Sequence, residues 1–260
     1  MNRKVIIILP AYNEDKGIGE LMEEFIRVVS AFPGYEIILV DDGSTDRTTE
    51  IAAQFRDRLN LHIVHHEKNR GLGSAIKTGL YAVMERSNSP RDIVVYMDAD
   101  CTHSPSYIPS MVEGIDKGAD IVIASRFRKG SREVGVPFMR QIYSRMARLV
   151  FRLFLPMPGV TDYTCGYRAY RSGLLRQALA TLGDSIIERN GFACTDEILV
   201  NLATFDVTIA EVPFVLRYDK KQGRSKLQLG LTIVETLRML RRARKKLIAK
   251  KHPLDNDTTQ

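Results

Sequence analysis

Residues 93–103 read Ile-Val-Val-Tyr-Met-Asp-Ala-Asp-Cys-Thr-His. Ile93 to Met97 form an apolar run rich in β-branched side chains, the pattern of a strand covered on both faces. Two carboxylates follow, Asp98 and Asp100, separated by the small Ala99. Alternate residues of an extended chain point the same way, so the two side chains are expected to aim at one point just past the strand's carboxyl end. Like charges held that close need a cation, or one of them must keep its proton. Hard oxygen ligands suit Mg²⁺ or Mn²⁺, and a divalent ion with open positions suits a diphosphate. An isolated Asp-x-Asp is more often a polar strand end running into a loop, so the rest of the chain decides.

Working outward, Val5–Leu9, Glu36–Val40, Leu61–Val64 and Asp120–Ala124 are further runs of the same kind. Between them lie helical stretches. Residues Ile18 to Phe32 place Ile18, Leu21, Met22, Phe25, Ile26 and Val29 on one stripe. A second helix is capped by Thr45 or Asp46 and runs through about Phe55. Gly71–Arg86 gives a third, and Ile108–Ile115 a short fourth. This alternation predicts an α/β fold, a mostly parallel central sheet flanked by helices. Ligands of such sheets sit beyond the carboxyl ends of the strands. Tyr12, Asn13 and Glu14, then Asp41 and Asp42, then Asp98 and Asp100, and finally Ser125 and Arg126 all fall there.

The second half is less regular. Val136–Leu155 is expected to be helical, with Pro156 and Pro158 ending it before a loop from Asp162 to Arg168. A helix near Leu174–Leu182, another opening at Thr195-Asp196-Glu197, and a strand near Thr208–Val215 follow. Without a repeat or linker, the simplest partition is one domain over residues 1–227, a basic amphipathic helix over 228–252 and a frayed end over 253–260.

A chain of 260 residues with 44% hydrophobic content can bury one large core. No run approaches the roughly 18 to 20 apolar residues that span a bilayer, and the first apolar run is too short for a secretory signal. Cys101, Cys165 and Cys194 are odd in number and widely spaced, which points to a reducing compartment and hence the cytoplasm. The net charge is +7. Arg238, Arg241, Arg242, Arg244, Lys245, Lys246, Lys250 and Lys251 alone exceed that surplus, so the basicity belongs to residues 237–251 and not to the fold. With Ile233, Val234, Leu237, Leu240, Leu247 and Ile248 beside them, these residues read as a helix lying on an anionic membrane surface. A stripe packed on the core, with solvated charges, is the alternative. Either an interfacial helix or a membrane-anchoring partner protein would hold the chain at the inner face of a membrane. Nucleic acid is disfavoured as a partner, because the ligand rim is acidic and no aromatic-basic stacking platform accompanies it.

Four short stretches occur together in order. They are Pro10-Ala11-Tyr12-Asn13-Glu14, Val40-Asp41-Asp42-Gly43-Ser44-Thr45-Asp46, Asn69-Arg70-Gly71-Leu72-Gly73 and Met97-Asp98-Ala99-Asp100. In that order and spacing the chain resembles the inverting family-2 glycosyltransferases of GT-A fold. Ser125-Arg126, Arg140, Ser144, residues 162–168, Glu211-Val212-Pro213-Phe214 and Gly223-Arg224-Ser225-Lys226 narrow the likeness to the polyprenyl-phosphate (dolichol-phosphate) mannosyl- and glucosyltransferases. The resemblance implies a nucleotide-sugar donor, GDP-mannose or UDP-glucose, and a polyprenyl-phosphate acceptor. It implies that Pro10, Tyr12 and Glu14 line the nucleotide pocket, that Asp42 accepts a hydrogen bond from the base, and that Gly71 and Gly73 let the backbone approach the donor. Asp98 and Asp100, with Ala99 between them, would hold Mg²⁺ or Mn²⁺ on its diphosphate. The dolichol-phosphate enzymes usually carry a Gln ligand where this chain has Thr102, leaving Thr102, His103 or water as the third ligand.

On the acceptor side the resemblance implies that Arg126 and Arg140 meet phosphate oxygens, with Ser144 one turn after Arg140. Arg217 and Lys226 would complete a basic pocket, whereas Arg145 and Arg152 read as a solvated helix face. A phosphate acceptor needs no general base. A saccharide or protein hydroxyl would need one, and Asp196 and Glu197 stand where many family-2 enzymes place it; both are equally the acidic residues that favour a helix N-terminus.

Overall fold

The computed structural model describes residues 3–32 and 34–221, together with 236, 238, 240 and 241. The strands are β1 (Val5–Ala11), β2 (Tyr35–Asp41), β3 (Leu61–His65), β4 (Ile93–Tyr96), β5 (Ile121–Ser125), β6 (Arg132–Val134), β7 (Arg168–Arg171), β8 (Ile209–Pro213) and β9 (Val215–Arg217). The helices are α1 (Ile18–Val29), α2 (Thr48–Ala53), α3 (Leu72–Arg86), α4 (Ile108–Asp116), α5 (Phe138–Phe154), α6 (Ser172–Leu182) and α7 (Ala193–Leu202). Seven strands form one sheet in the order β3-β2-β1-β4-β7-β5-β8, and β6 pairs with β9 in a small second ladder.

The apolar runs become central strands because helices bury both of their faces. Every residue of β1 and β4 is buried. On α1 the stripe Ile18, Leu21, Met22, Phe25 and Val29 turns inward, at the spacing that one helical face requires. Chain order runs outward from β1 to β2 and β3, then α3 carries the chain back to β4 on the other side of β1. The two βα connections therefore leave β1 and β4 in opposite directions, and a crevice opens between them at the carboxyl rim. Register makes that rim level, with Ala11 opposite Asp41 and Ile8 opposite Tyr96. Tyr12, Asp42 and Asp98 thus emerge side by side.

β7 departs from the expected pattern. It lies between β4 and β5 and runs antiparallel to both, so the expected loop from Asp162 to Arg168 ends as a sheet strand. Its first residue, Arg168, is fully buried. The Arg168 guanidinium donates to the Tyr163 carbonyl at 2.7 Å and also to the Thr195 carbonyl. One buried cation thereby ties the loop before β7 to the start of α7.

Of the C-terminal stripe only Leu240 is described, and it is 2% exposed within the core; Arg238 and Arg241 are exposed. That placement matches a stripe packed on the core at this position. Lys226, the remaining apolar and basic residues of 237–251 and the 253–260 end lie outside the described residues. Among the described residues no helix is long and apolar enough to cross a membrane.

Candidate functional site

Two cavities open at the carboxyl rim. The larger, about 500 Å³, is lined by Pro10, Tyr12, Glu14, Asp42, Gly71, Asp98, Ala99 and Asp100, and also by Asn190, Phe192 and Lys221. The smaller, about 150 Å³, is lined by Thr102, His103, Arg126, Arg140, Tyr143, Ser144, Thr164 and Asp196. Asp98, Asp100, Phe192 and Lys221 belong to the walls of both. The aspartate pair is the partition between two compartments.

Local backbone geometry builds the larger cavity. Asn13 adopts a positive φ of 53°, and its Oδ1 accepts from the Thr45 N–H at 2.8 Å. That bond fastens the Tyr12 turn to the turn after β2. Asp42, 3% exposed, accepts from the Arg70 and Gly71 N–H groups at 2.9 and 2.8 Å and contacts His66 Nδ1 at 2.7 Å. It organises the start of α3 at the cavity wall. Asp41, fully buried at the end of β2, is held by the Ser44 N–H, the Thr49 hydroxyl and His65, and so anchors the turn that follows. Gly71 has φ 91°, which favours glycine. A Cβ on Gly73 would stand 1.8 Å from the Arg189 carbonyl oxygen. The glycines thus admit the 189–190 backbone against α3; that segment carries Asn190 into the cavity wall, and Gly73 lines neither cavity.

Asp98 and Asp100 are positioned differently. Asp98, partly exposed, accepts from the Tyr96 hydroxyl at 3.0 Å. Asp100 Oδ1 accepts from the Thr102 N–H and hydroxyl at 3.1 and 2.6 Å, while Oδ2 takes the Lys221 ammonium. Burial alone would raise the Asp100 carboxyl's pKa, but the Lys221 charge and hydrogen bond, with help from Thr102, hold it below the ordinary value. Cys101, next in sequence, adopts φ 62°, a conformation that a non-glycine side chain keeps only where its surroundings enforce it. His103 stacks on Tyr167 at 5.1 Å between ring centroids, and its Nδ1 faces the Asp98 N–H at 3.2 Å. Thr102 and His103 are thus engaged in holding the motif. Among the described residues no three His, Cys, Asp or Glu side chains converge as a metal cluster. Two adjacent carboxylates with a cation already seated on one are nonetheless a donor set that fits Mg²⁺ or Mn²⁺ with open positions.

The smaller cavity is lined by cations, Arg126, Arg140 and Lys221, and by carboxylates, Asp98, Asp100 and Asp196. Arg126 sends Nε and Nη2 to the two oxygens of Asp162 at 2.8 and 2.6 Å, Nη2 to Thr164 at 2.7 Å and Nη1 to Ser144 at 2.9 Å. Burial alone would lower the Arg126 pKa; the Asp162 charge and hydrogen bonds raise it instead. The expected phosphate fork is therefore committed to Asp162, and Arg126 presents only its edge to the cavity. Glu211 holds the same loop, accepting from the Thr161 and Asp162 N–H groups at 2.6 and 2.7 Å. Arg140 lines the cavity with its guanidinium 5.0 Å from the Tyr218 ring centre. Asp196 is 3% exposed, and burial pushes its carboxyl up to about 7 against the pull of Arg168 and Arg126.

Two further expected residues lie elsewhere. Glu197 binds the Glu188 and Arg189 N–H groups and the Arg189 guanidinium; about 100° of helix rotation separates it from Asp196, so only Asp196 lines the cavity. Arg217 forks onto Asp219 at the surface. Lys221 is the residue that sequence reasoning missed.

The profile of the Glycosyl transferase family 2 matches residues 6–179, a span that contains all but the first residue of β1, the turn after β2, the start of α3 and the aspartate pair. The chain is 36% identical over 247 residues to a dolichol-phosphate mannosyltransferase of Pyrococcus furiosus, covering 93% of this chain and 64% of that protein. It is 32% identical over 229 residues to an undecaprenyl-phosphate mannosyltransferase of Micrococcus luteus, covering 88% of this chain and 89% of that protein. In fold it is similar to the glucosyl-3-phosphoglycerate synthase of Mycobacterium tuberculosis, solved with Mn²⁺, UDP-glucose and phosphoglyceric acid, with a TM-score of 0.68, 22% identity and coverage of 94% of this chain and 80% of that one. With that fold, and with the aspartate pair and glycine turn inside the matched span, the chain belongs to glycosyl transferase family 2 and is a glycosyltransferase.

Proposed function

We propose that the protein transfers a hexose from a nucleotide sugar, GDP-mannose or UDP-glucose, to a polyprenyl phosphate at a membrane surface, with inversion and with a divalent ion. The observation that carries this reading is the shared wall: the donor-sized and acceptor-sized cavities meet at Asp98, Asp100 and Lys221. A sugar whose diphosphate lay at that wall would stand next to the compartment lined by Arg140 and the Arg126 edge. The mannosyltransferase names of the two relatives favour mannose as the sugar.

Asp98 and Asp100 would hold a divalent ion, which would supply charge neutralisation to the leaving diphosphate. The chain's own part is positioning. Tyr12, Glu14 and Asp42 wall the nucleotide end, and Arg140 and Ser144 orient the acceptor phosphate oxygen for in-line attack. That oxygen is already anionic near neutral pH, so no side chain has to take a proton from it.

α5 supports the membrane location better than the C-terminal stripe does. Its inner face carries Arg140 and Ser144 into the acceptor cavity. Its outer face exposes Phe138 (69%), Met139 (62%), Met146 (54%), Leu149 (50%) and Leu153 (70%), with the exposed Arg145 and Arg152 alongside. An apolar helix face flanked by cations suits the interface of an anionic bilayer, and it would bring the lipid phosphate to the helix that receives it.

A hydroxyl acceptor is the second reading, favoured by the Asp196 carboxyl poised near 7 within the acceptor cavity. Thermal shift with GDP-mannose and UDP-glucose, with and without Mn²⁺, and labelled-sugar transfer to undecaprenyl or dolichyl phosphate test the proposal. Stabilisation by one sugar nucleotide only with the ion, and lost in Asp100→Asn, is expected. Absence of any nucleotide-dependent shift would overturn it.

A further inference from the structure

Lys221 belongs to none of the four stretches that carry the family resemblance, yet it is the only side chain in the described site that sets a full positive charge against the aspartate pair. Its ammonium sits on Asp100 Oδ2, and the charges of Asp98 and Glu14 also act on it. The two side chains are 14% and 12% exposed. Oδ1 of the same carboxylate is already tied down by the Thr102 N–H and hydroxyl. Oδ2 is thus the oxygen not held by Thr102, and Lys221, which lines both cavities, occupies it.

We propose that Lys221 is an exchangeable counter-cation. It keeps the Asp100 carboxylate aimed at the cavities while the site is free of metal, is displaced from Oδ2 by the entering divalent ion, and then serves as a phosphate ligand for the bound donor. The proposal rests on the reading of Asp98 and Asp100 as the ion site. An ammonium and a divalent ion compete for one carboxylate oxygen, because their mutual repulsion grows as they close to contact distance. Once moved off Oδ2, the ammonium remains in the wall of both cavities. The donor's diphosphate is then the nearest unpaired anion. A lysine suits this exchange, since its compact charge on a flexible stem can swing without rebuilding a planar fork.

The test uses Mn²⁺ alone, followed by the electron paramagnetic resonance signal of the free ion, on the full chain and on Lys221→Met, Lys221→Arg and Asp100→Asn. Displacement predicts that Lys221→Met binds Mn²⁺ about tenfold more tightly than the wild type, within the range of about 5- to 150-fold typical of coupling between two ligands of one protein. Lys221→Arg, which keeps the charge, stays close to the wild type. Equal or weaker Mn²⁺ binding by Lys221→Met overturns the exchange. In a second arm, calorimetry with GDP and UDP at saturating Mn²⁺ predicts several-fold weaker nucleotide binding by Lys221→Met. Unchanged nucleotide affinity overturns the phosphate role. Asp100→Asn separates the two levels of the argument: if it binds Mn²⁺ as well as the wild type does, the ion site itself is misplaced and the proposal falls with it. Circular dichroism of each variant distinguishes any of these outcomes from a folding defect.

Discussion

Asp196→Asn probes the acceptor cavity directly. The Asp196 carboxyl is buried at the head of α7, and burial lifts it from an ordinary 3.8 to about 7. A folded-state pKa above the unfolded one means that the native protein keeps a proton which the unfolded chain has released. Wild-type stability is then greatest below 3.8, falls as pH rises through the window to 7, and is level above it. At about 1.4 kcal/mol per pH unit, the stretch from pH 5 to pH 7 removes about 3 kcal/mol. Asparagine has nearly the same shape and no charge to bury. The stability of Asp196→Asn relative to the wild type should therefore grow by about 3 kcal/mol between pH 5 and pH 8. Urea unfolding at the two pH values reads this out, as does a relative rise in melting temperature of roughly 6 to 12 °C. A difference that does not change with pH would mean that the carboxylate is already charged in the native state, and would refute the reasoning. The same variant sorts the acceptors. Transfer to a lipid phosphate should survive within about tenfold, whereas a hydroxyl acceptor deprived of its base should lose about 10² to 10⁴ in turnover.

Arg126→Lys replaces a two-pronged guanidinium that satisfies fully buried Asp162; a loss of about 3 to 5 kcal/mol is expected in chemical unfolding, with the loop from Thr161 to Cys165 becoming protease-sensitive. Gly73→Ala drives a Cβ into the Arg189 carbonyl, so stability should drop by about 1 to 3 kcal/mol and the donor KM should rise more than kcat falls, because the displaced segment includes Asn190 of the donor wall. Leu149→Glu combined with Leu153→Glu, on the outer face of α5, should leave the melting temperature within a few degrees while abolishing co-sedimentation with phosphatidylglycerol vesicles; undiminished vesicle binding would remove α5 as the docking face.

The donor half was legible in the sequence because its chemistry is local. A buried strand has to end somewhere, and Tyr12, Asp42 and Asp98 fall within two residues of the ends of three such strands, so topology alone sets them on one rim. The acceptor half was not, because its chemistry depends on partners far apart in the chain. Arg126 looked like a free phosphate ligand until Asp162 claimed it, 36 residues later. Lys221 reaches Asp100 across 121 residues, and no spacing rule announces such a pair. Gly73 carried the right residue type for a close approach, but sequence does not say what approaches; it is the 189–190 backbone. β7 escaped notice because Arg168-Ala169-Tyr170-Arg171 has charged ends and is only four residues long, and its burial depends on carbonyls supplied by other segments.

The reversed direction of β7 has a consequence for how such a protein diversifies. A strand running the other way begins at the rim where its neighbours finish, so the segment that feeds into it, carrying Thr164 and Cys165, is delivered to the reaction side without a crossover helix. Changes of length or composition in that segment therefore remodel the acceptor compartment while the ladder from β3 to β4 stays in register. On the proposed assignment of the two cavities, one sheet could keep a single donor and trade recipients by replacing a single stretch of loop.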